Sequence, residues 1–277
     1  MRAARVHQWT KNLLVFAAPL AAGALGHPSA LGRVSVAFAA FCLLATGAYL
    51  INDVRDLAED RLHPVKRHRP VASGAVAPGH ALLAGAAAIL LGIVVAGTLG
   101  LSVAAVAAGY ALLNIAYTCV LRRIAIADIC AIAGAFVLRA LAGGLAAGVP
   151  SSPWFVVVVS FAALFVAAGK RYGDFIDPAA RRSRPVLEQY TAEFLRLVIG
   201  VAAAVALGAY CLWAVAAAHP ASAPWREVTI VPFTVAMLRY GLLVSAGDAG
   251  APEDILFGDR FIQLAGAVWL ATLAMSL

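Results

Sequence analysis

"YLINDVRDLAEDRLHPVKRHRPVASG" (Tyr49–Gly74) sets four acids, Asp53, Asp56, Glu59 and Asp60, and five bases, Arg55, Arg61, Lys66, Arg67 and Arg69, between two long apolar runs. The surrounding chain has 277 residues, of which 63% are hydrophobic and only 13% charged. Acids come first and bases second, an order that a mere polar loop has no reason to keep. If Asn52–Asp60 continues the preceding run as a helix, each residue turns by about 100°, and Asp56, Asp60 and Asp53 fall near 40°, 80° and 100° from Asn52. The four oxygen-bearing side chains then share one face. Carboxylates gathered in this way repel one another unless a cation sits among them. Hard oxygen ligands suit Mg2+, which keeps waters and brings substrate phosphates with it. Lys66, Arg67 and Arg69 can grip the phosphate oxygens that the metal leaves. A charge run in isolation reads as a solvated, self-neutralising loop; the helical spacing of these acids favours the metal.

Working outward, the composition defines the class. A mean hydropathy of +0.89 and apolar runs from end to end read as a polytopic, all-α integral membrane protein. The period-2 alternation of an outer-membrane barrel is absent. The runs divide into about nine transmembrane helices, near 13–28, 34–51, 79–98, 100–120, 125–147, 153–170, 193–218, 227–245 and 260–277, forming one domain over 1–277. Cys42, Cys119, Cys130 and Cys211 lie inside these runs without metal-ligand spacing, and read as small packing residues.

The net charge of +7 is topological and points to membrane lipid, not nucleic acid. With a cytoplasmic N-terminus and nine alternating spans, every Lys and Arg except Arg33, Arg226 and the intramembrane Arg139 falls on the inside. All acids except Glu227 fall there too. Acids contribute little to topology, so an acidic inner face points to chemistry there, on the cytoplasmic side of the membrane.

The pattern N-D-x-x-D-x-x-x-D at Asn52, Asp53, Asp56 and Asp60 resembles the first aspartate-rich motif of the UbiA prenyltransferase superfamily. "NIAYTCVLRRIAIADI" (Asn114–Ile129) is similar to a second family segment, with Tyr117 in register, Arg122 where Lys is common, and Asp128 following. The resemblance implies a UbiA-type helical bundle with cytoplasmic active-site loops, in which most members hold a prenyl diphosphate between two acidic motifs with Mg2+. The usual second motif, D-x-x-x-D, is replaced by "GKRYGDFIDP" (Gly169–Pro178), with Asp174 and Asp177 three apart.

Added cations there suit a more heavily phosphorylated donor. "QWTKN" (Gln8–Asn12), "GKRYGDF" and "APEDILFGDRFIQ" (Ala251–Gln263) resemble a phosphoribosyltransferase branch of the superfamily, although Asp174 stands where Glu is expected. That branch implies transfer of 5-phosphoribose from phosphoribosyl pyrophosphate (PRPP) to polyprenyl (decaprenyl) phosphate, in cell-wall arabinan precursor synthesis. The alternative is prenyl transfer from a prenyl diphosphate to an aromatic or lipid acceptor.

The expected metal ligands are Asn52, Asp56 and Asp60, with Asp56, Asp60 and Lys170 as catalytic residues. Substrate binding is assigned to Gln8, Lys11, Asn12, Asp53, Lys66, Arg67, Arg69, Tyr117, Arg122, Asp128, Arg139, Arg171, Tyr172 and Asp174. A homo-oligomer, by analogy a trimer, completes the expectation.

Other polar residues have plainer readings. A charge within a span, such as Arg139, marks function or structural pairing; Asp128, about three turns earlier on the same helix, shares its face. His7, His63, His68 and His80 read as solvated or capping residues. Trp9 and Trp154 read as interface anchors, and Ala142–Gly144 as a close helix contact. Arg181, Arg182 and Arg184 suit anionic headgroups. A transporter would show inverted repeats, and the two halves have no convincing self-similarity.

Overall fold

The structure, a computed structural model, describes residues 5–63, 65–216, 224–247 and 252–277. Arg2 and Ala251, both used in the sequence reading, lie outside the described residues. No strand occurs among the described residues. A 3-10 helix, Val6–Phe16, leads into α1 (Ala17–Ala21) and α2 (Pro28–Arg55). Next come α3 (Leu57–Leu62), a 3-10 turn at Lys66–His68, α4 (Pro78–Gly97), α5 (Leu101–Cys119) and α6 (Ala127–Ala147). The remainder is α7 (Pro153–Ile176), α8 (Pro178–Ser183), α9 (Ala192–Ala216), α10 (Trp225–Val228), α11 (Ile230–Ala246), α12 (Pro252–Gly258) and α13 (Arg260–Met275).

Seven helices are long and apolar enough to cross a membrane: α2, α4, α5, α6, α7, α9 and Trp225–Ala246, which joins α10 to α11. The chain is a multi-pass membrane protein, but the expected count of nine is not reached among the described residues. The last run forms α13, only 16 residues long. The first, near 13–28, is divided among the end of the 3-10 helix Val6–Phe16, α1 and a 3-10 turn at Ala24–Gly26, and Gly23, at φ 69°, breaks the path before α2. Large side chains on the outer faces, such as Leu83, Leu90, Leu112 and Leu197, are more than 60% exposed and suit hydrocarbon. The four cysteines are free thiols; Cys42 is buried as a packing residue, whereas Cys119 and Cys130 are exposed.

Two compact units divide the chain: Met1–Leu20, Ala24–Cys119 and Leu138–Pro150 form one, and Ala21–Gly23, Val120–Val137 and Ser151–Leu277 the other. In the first unit α2 is the spine. Pro28 opens it within the first turn, where a missing N–H costs nothing. Its 28 residues reach about 42 Å, more than the roughly 30 Å hydrocarbon layer. The acidic end can therefore stand clear of lipid while the rest spans.

α2 meets α4 through glycines. A Cβ on Gly47 would stand 2.5 Å from the Gly85 carbonyl, and one on Gly92 would stand 2.8 Å from Leu44. With no hydrophobic drive between helices in lipid, such close approach supplies the packing. Gly143 does the same for the N-terminal segment, since its Cβ would overlap the Val15 carbonyl at 1.6 Å. The small run Ala142–Gly144 is thus a packing contact, as the sequence indicates. In the second unit α7 packs on α9 around Phe165, Tyr172, Leu187 and Leu195, and a Cβ on Gly169 would stand 3.3 Å from the Tyr240 ring.

Gly47→Ala and Gly143→Ala are each expected to destabilise the detergent-solubilised protein by about 1–3 kcal/mol through overpacking. Gly109→Ala, which meets nothing within 4 Å, should leave the unfolding midpoint unchanged or raise it. Thermal unfolding of the three variants checks this.

Candidate active site

The acidic ribbon folds much as its spacing requires. α2 ends at Arg55 and α3 begins at Leu57, yet the bond from Asp60 N–H to the Asp56 carbonyl (2.8 Å) bridges the break. Asp53 and Asp60 therefore stay on one side, both about 2% exposed. Arg69 joins them, its Nη1 lying 3.3 Å from Asp53 Oδ1 and 2.6 Å from Asp60 Oδ2. Arg5 makes a second ion pair with Asp53 and stacks over Tyr49, 5.0 Å from the ring centroid. Asn52 donates from Nδ2 to Asp56 Oδ2 at 3.1 Å. His63 accepts from the amides of Val65 and Lys66, a capping role that orders the basic turn. Arg67 is exposed, and Lys66 and Asp56 are partly buried within further interactions.

Mg2+ fits this donor set. Asn52, Asp56 and Asp60 offer oxygens toward a metal, and the Arg69 guanidinium already bridges Asp60 and the neighbouring Asp53 as a cation would. Among the described residues no group of three or more His, Cys, Asp or Glu is close enough to hold a metal by itself. Mg2+ does not ask for one; it takes one or two carboxylates and completes its shell with waters and substrate phosphates.

The 3-10 helix Val6–Phe16 lies against α2. Trp9 Nε1 donates to Thr46 Oγ1 (3.3 Å), and the Tyr49 hydroxyl and Lys11 Nζ both donate to Gln8 Oε1 (3.4 and 2.5 Å). Trp9 is thus docked on α2 rather than standing as an interface anchor, because Thr46 offers an acceptor at its indole. Asn12 is fully buried; its Nδ2 donates to Cys42 Sγ (3.3 Å) and its Oδ1 accepts from Arg139 Nε (2.8 Å). Arg139, 5% exposed, also donates to the Tyr110 hydroxyl (2.6 Å) and stacks on that ring. Tyr117 lies half-buried near the end of α5.

The second unit builds its own charged centre. Asp128, in the first turn of α6 and fully buried, accepts from both Nε and Nη2 of Arg171, the latter at 2.9 Å. Arg171, 1% exposed, reaches on to Asp174 Oδ2 at 2.6 Å, where Arg184 stands 3.5 Å away. Arg184 is drawn to this carboxylate rather than left to lipid headgroups, while Arg181 covers the Phe175 ring. Tyr172 is buried with its hydroxyl accepting from Arg196 (2.8 Å). Lys170 is half-buried, Arg122 sits in the 3-10 turn Leu121–Arg123, and both make further interactions. Asp128 and Arg139 thus satisfy separate networks.

The approach to Asp128 is splinted. Ile126, a β-branched residue at φ 68°, is held by its N–H bond to the Tyr190 hydroxyl (2.7 Å). Gln189 accepts from Ala125 N–H and donates to the Arg123 carbonyl beside it. Burial pushes the Tyr190 phenol up to about 12, against the lowering effect of that amide bond. Burial likewise lowers the Arg5 guanidinium from its usual value, opposed by Asp53. Asp259 is held below the usual carboxylate range, chiefly by the hydrogen bond from Arg239. It also caps α13 through Ile262 N–H (2.9 Å), so the "GDRFIQ" segment serves the fold.

Sequence reasoning missed Arg5, Arg184, Arg196 and Tyr190 as parts of these centres. Arg5 looks purely topological in a basic N-terminus, and no local spacing reveals that it meets Asp53, 48 residues on.

Residues 13–264 match the UbiA prenyltransferase family, and the chain belongs to it. It is an enzyme of the transferase class. It is 40% identical to the decaprenyl-phosphate phosphoribosyltransferase of Mycolicibacterium smegmatis, covering 100% of this chain and 92% of that protein. It is 41% identical to the protein of that name from Mycobacterium tuberculosis, covering 98% and 92%. The fold is that of a UbiA homologue from Archaeoglobus fulgidus solved with DMAPP and Mg2+ (TM-score 0.78, 17% identity, 99% and 97% covered).

Asp128→Ala removes the bidentate partner of a buried guanidinium and is expected to cost about 3–5 kcal/mol of stability. Asp174→Ala, on the half-exposed side of the same Arg171, should cost clearly less. Denaturant titration of the solubilised variants gives the comparison.

Proposed function

We propose that this chain moves 5-phosphoribose from PRPP onto a polyprenyl phosphate, releasing pyrophosphate, at the cytoplasmic face of a bacterial plasma membrane. The observation that carries the reading is the centre around Arg171. Where the family resemblance leads one to expect an acidic metal motif, this chain has Lys170 and Arg171, with Asp128 and Asp174 spent on pinning the guanidinium. A centre rebuilt from carboxylate to cation suits a donor carrying a further phosphate. The names of the mycobacterial relatives support the same reading. The sorting of Lys and Arg supports the cytoplasmic side.

The acceptor, a phosphate monoester, is already anionic near neutral pH, so the chain need not supply a strong base. Its oxygen forms the new bond to the anomeric carbon as the bond to pyrophosphate breaks. The bonding electrons leave with pyrophosphate, and the centre inverts. Asn52, Asp56 and Asp60 would hold Mg2+, which, when bound, supplies Lewis-acid neutralisation of the leaving group. Lys11, Lys66, Arg67 and Arg69 share the remaining phosphate charge and keep the donor in line. Lys170 and Tyr172 serve the ribose 5-phosphate or the acceptor phosphate. The prenyl tail needs only apolar helix surface.

Purified protein given labelled PRPP, Mg2+ and polyprenyl phosphate should yield labelled lipid and pyrophosphate. Turnover only with a prenyl diphosphate and an aromatic acceptor would overturn the reading. Asp56→Ala and Asp60→Ala should each lower kcat by at least ~100-fold, the upper range for lost metal-site groups, with the unfolding midpoint retained in Asp56→Ala and lowered in Asp60→Ala, which takes a buried partner from Arg69. Near-normal turnover in both would remove the metal assignment.

A further inference from the structure

The N-terminal 3-10 helix is anomalous. It runs for 11 residues, whereas such helices rarely exceed three or four. The contacts it makes on α2 explain why. Asn12 meets Cys42, Trp9 meets Thr46, Gln8 meets Tyr49, and Arg5 meets Asp53. The numbers fall along one segment as they rise along the other, so the two run antiparallel. On α2 the steps are four, three and four residues, which keeps every contact on one helical face.

The lengths also agree. From Cys42 to Asp53 an α-helix climbs about 16 Å at 1.5 Å per residue. The seven steps from Arg5 to Asn12 cover about 14 Å at the 3-10 rise of 2.0 Å, but only about 10 Å if wound as α. The tighter winding stretches the segment until both ends reach their partners. Its leading residue, Arg5, pays in backbone conformation, with φ at 45° in the left-handed region.

The far end is fixed by Arg139. Its fork holds Asn12 and Tyr110 at once, inside a span, and α6 brings it against the segment at the turn where Gly143 admits the Val15 carbonyl. From there a continuous set of contacts leads to the acids: Arg139 to Asn12, along the segment to Arg5, then Asp53, Arg69 and Asp60.

We propose that Val6–Phe16 is a strap that sets the acidic face in register, and that Arg139 is a positioning residue which locks the strap through Asn12. In this role Arg139 and Asn12 touch neither donor nor acceptor. They determine where Arg5, Gln8 and Lys11 stand, and through Arg5 the orientation of Asp53. The part of this proposal that concerns donor binding rests on the phosphoribosyl-transfer reading above; the strap itself does not.

Two readouts separate these. In hydrogen–deuterium exchange without substrates, the amides of Val6–Phe16 should lose protection in Arg139→Met and Asn12→Ala, while those of α9 keep theirs. In turnover, both variants should raise KM for PRPP about tenfold, the lower range for groups that orient a site from behind, with kcat within about twofold. The double variant should be no worse than either single one, because the two act as one clamp.

Asn12→Cys supplies the rescue. The new thiol faces native Cys42, whose sulfur lies 3.3 Å from the Asn12 amide. When reduced, this variant should resemble Asn12→Ala; when oxidised, the bridge should restore the low KM and the lost protection. Asn12→Cys with Cys42→Ala should show no redox response. A raised KM in Arg139→Met with Val6–Phe16 fully protected would mean that Arg139 binds substrate directly, and would overturn the proposal. An oxidised form that regains protection without regaining KM would overturn it as well. If wild-type protein transfers no phosphoribose yet the exchange results hold, the functional reading fails and the strap stands.

Discussion

Three buried or half-buried guanidinium groups organise the polar interior of this membrane protein, and each is fixed by oxygen from the same unit. Arg171 is forked onto Asp128 and reaches Asp174; Arg69 spans Asp53 and Asp60; Arg139 holds Asn12 and Tyr110. A cation withdrawn from water into an apolar bundle is costly unless its donors are met in good geometry. The planar fork of Arg meets several acceptors at once where Lys could not. The helices around these groups must therefore hold still, and glycine contacts such as Gly47 with Gly85 supply the close packing that keeps them so.

That constraint also determines what each centre can do. Around Asp53 and Asp60 two carboxylates meet two guanidinium groups, Arg5 and Arg69, and oxygen donors remain at Asn52 and Asp56. The centre is suited to a hard cation accompanied by phosphate. Around Arg171 the guanidinium itself is the group that is held. Asp128 is wholly engaged and Asp174 is shared between two guanidinium groups, so the carboxylates there act as supports for positive charge. One family fold carries both arrangements, and the exchange of acid for base in the second is what turns the reading from a prenyl diphosphate toward a ribosyl donor.

Much of this is legible without coordinates. The spacing of Asn52, Asp53, Asp56 and Asp60 already places them on one helical face, and the structure interrupts that helix only at Asp56 while preserving the hydrogen bond across it. The role of His63 as a cap is equally local. Other features are not local. Trp9 has the composition of an interface anchor but finds Thr46 on α2. Arg184 belongs to a run that suits headgroups but is claimed by Asp174. The first apolar run has the content of a span, yet it is divided among the end of the 3-10 helix, α1 and the break at Gly23.

The sequence by itself determined the class, the acidic face and the basic segment that follows it. These depend on composition and on short-range helical period, which a chain carries in its own order. Only the tertiary structure decided which guanidinium meets which carboxylate, that Arg5 closes on Asp53, and that Asn12 is a buried link to Arg139. Such pairings join residues 43 to 127 positions apart. They exist because burial leaves an ionic or amide group no water to fall back on, so whichever partner the packing brings within reach becomes the one it must keep.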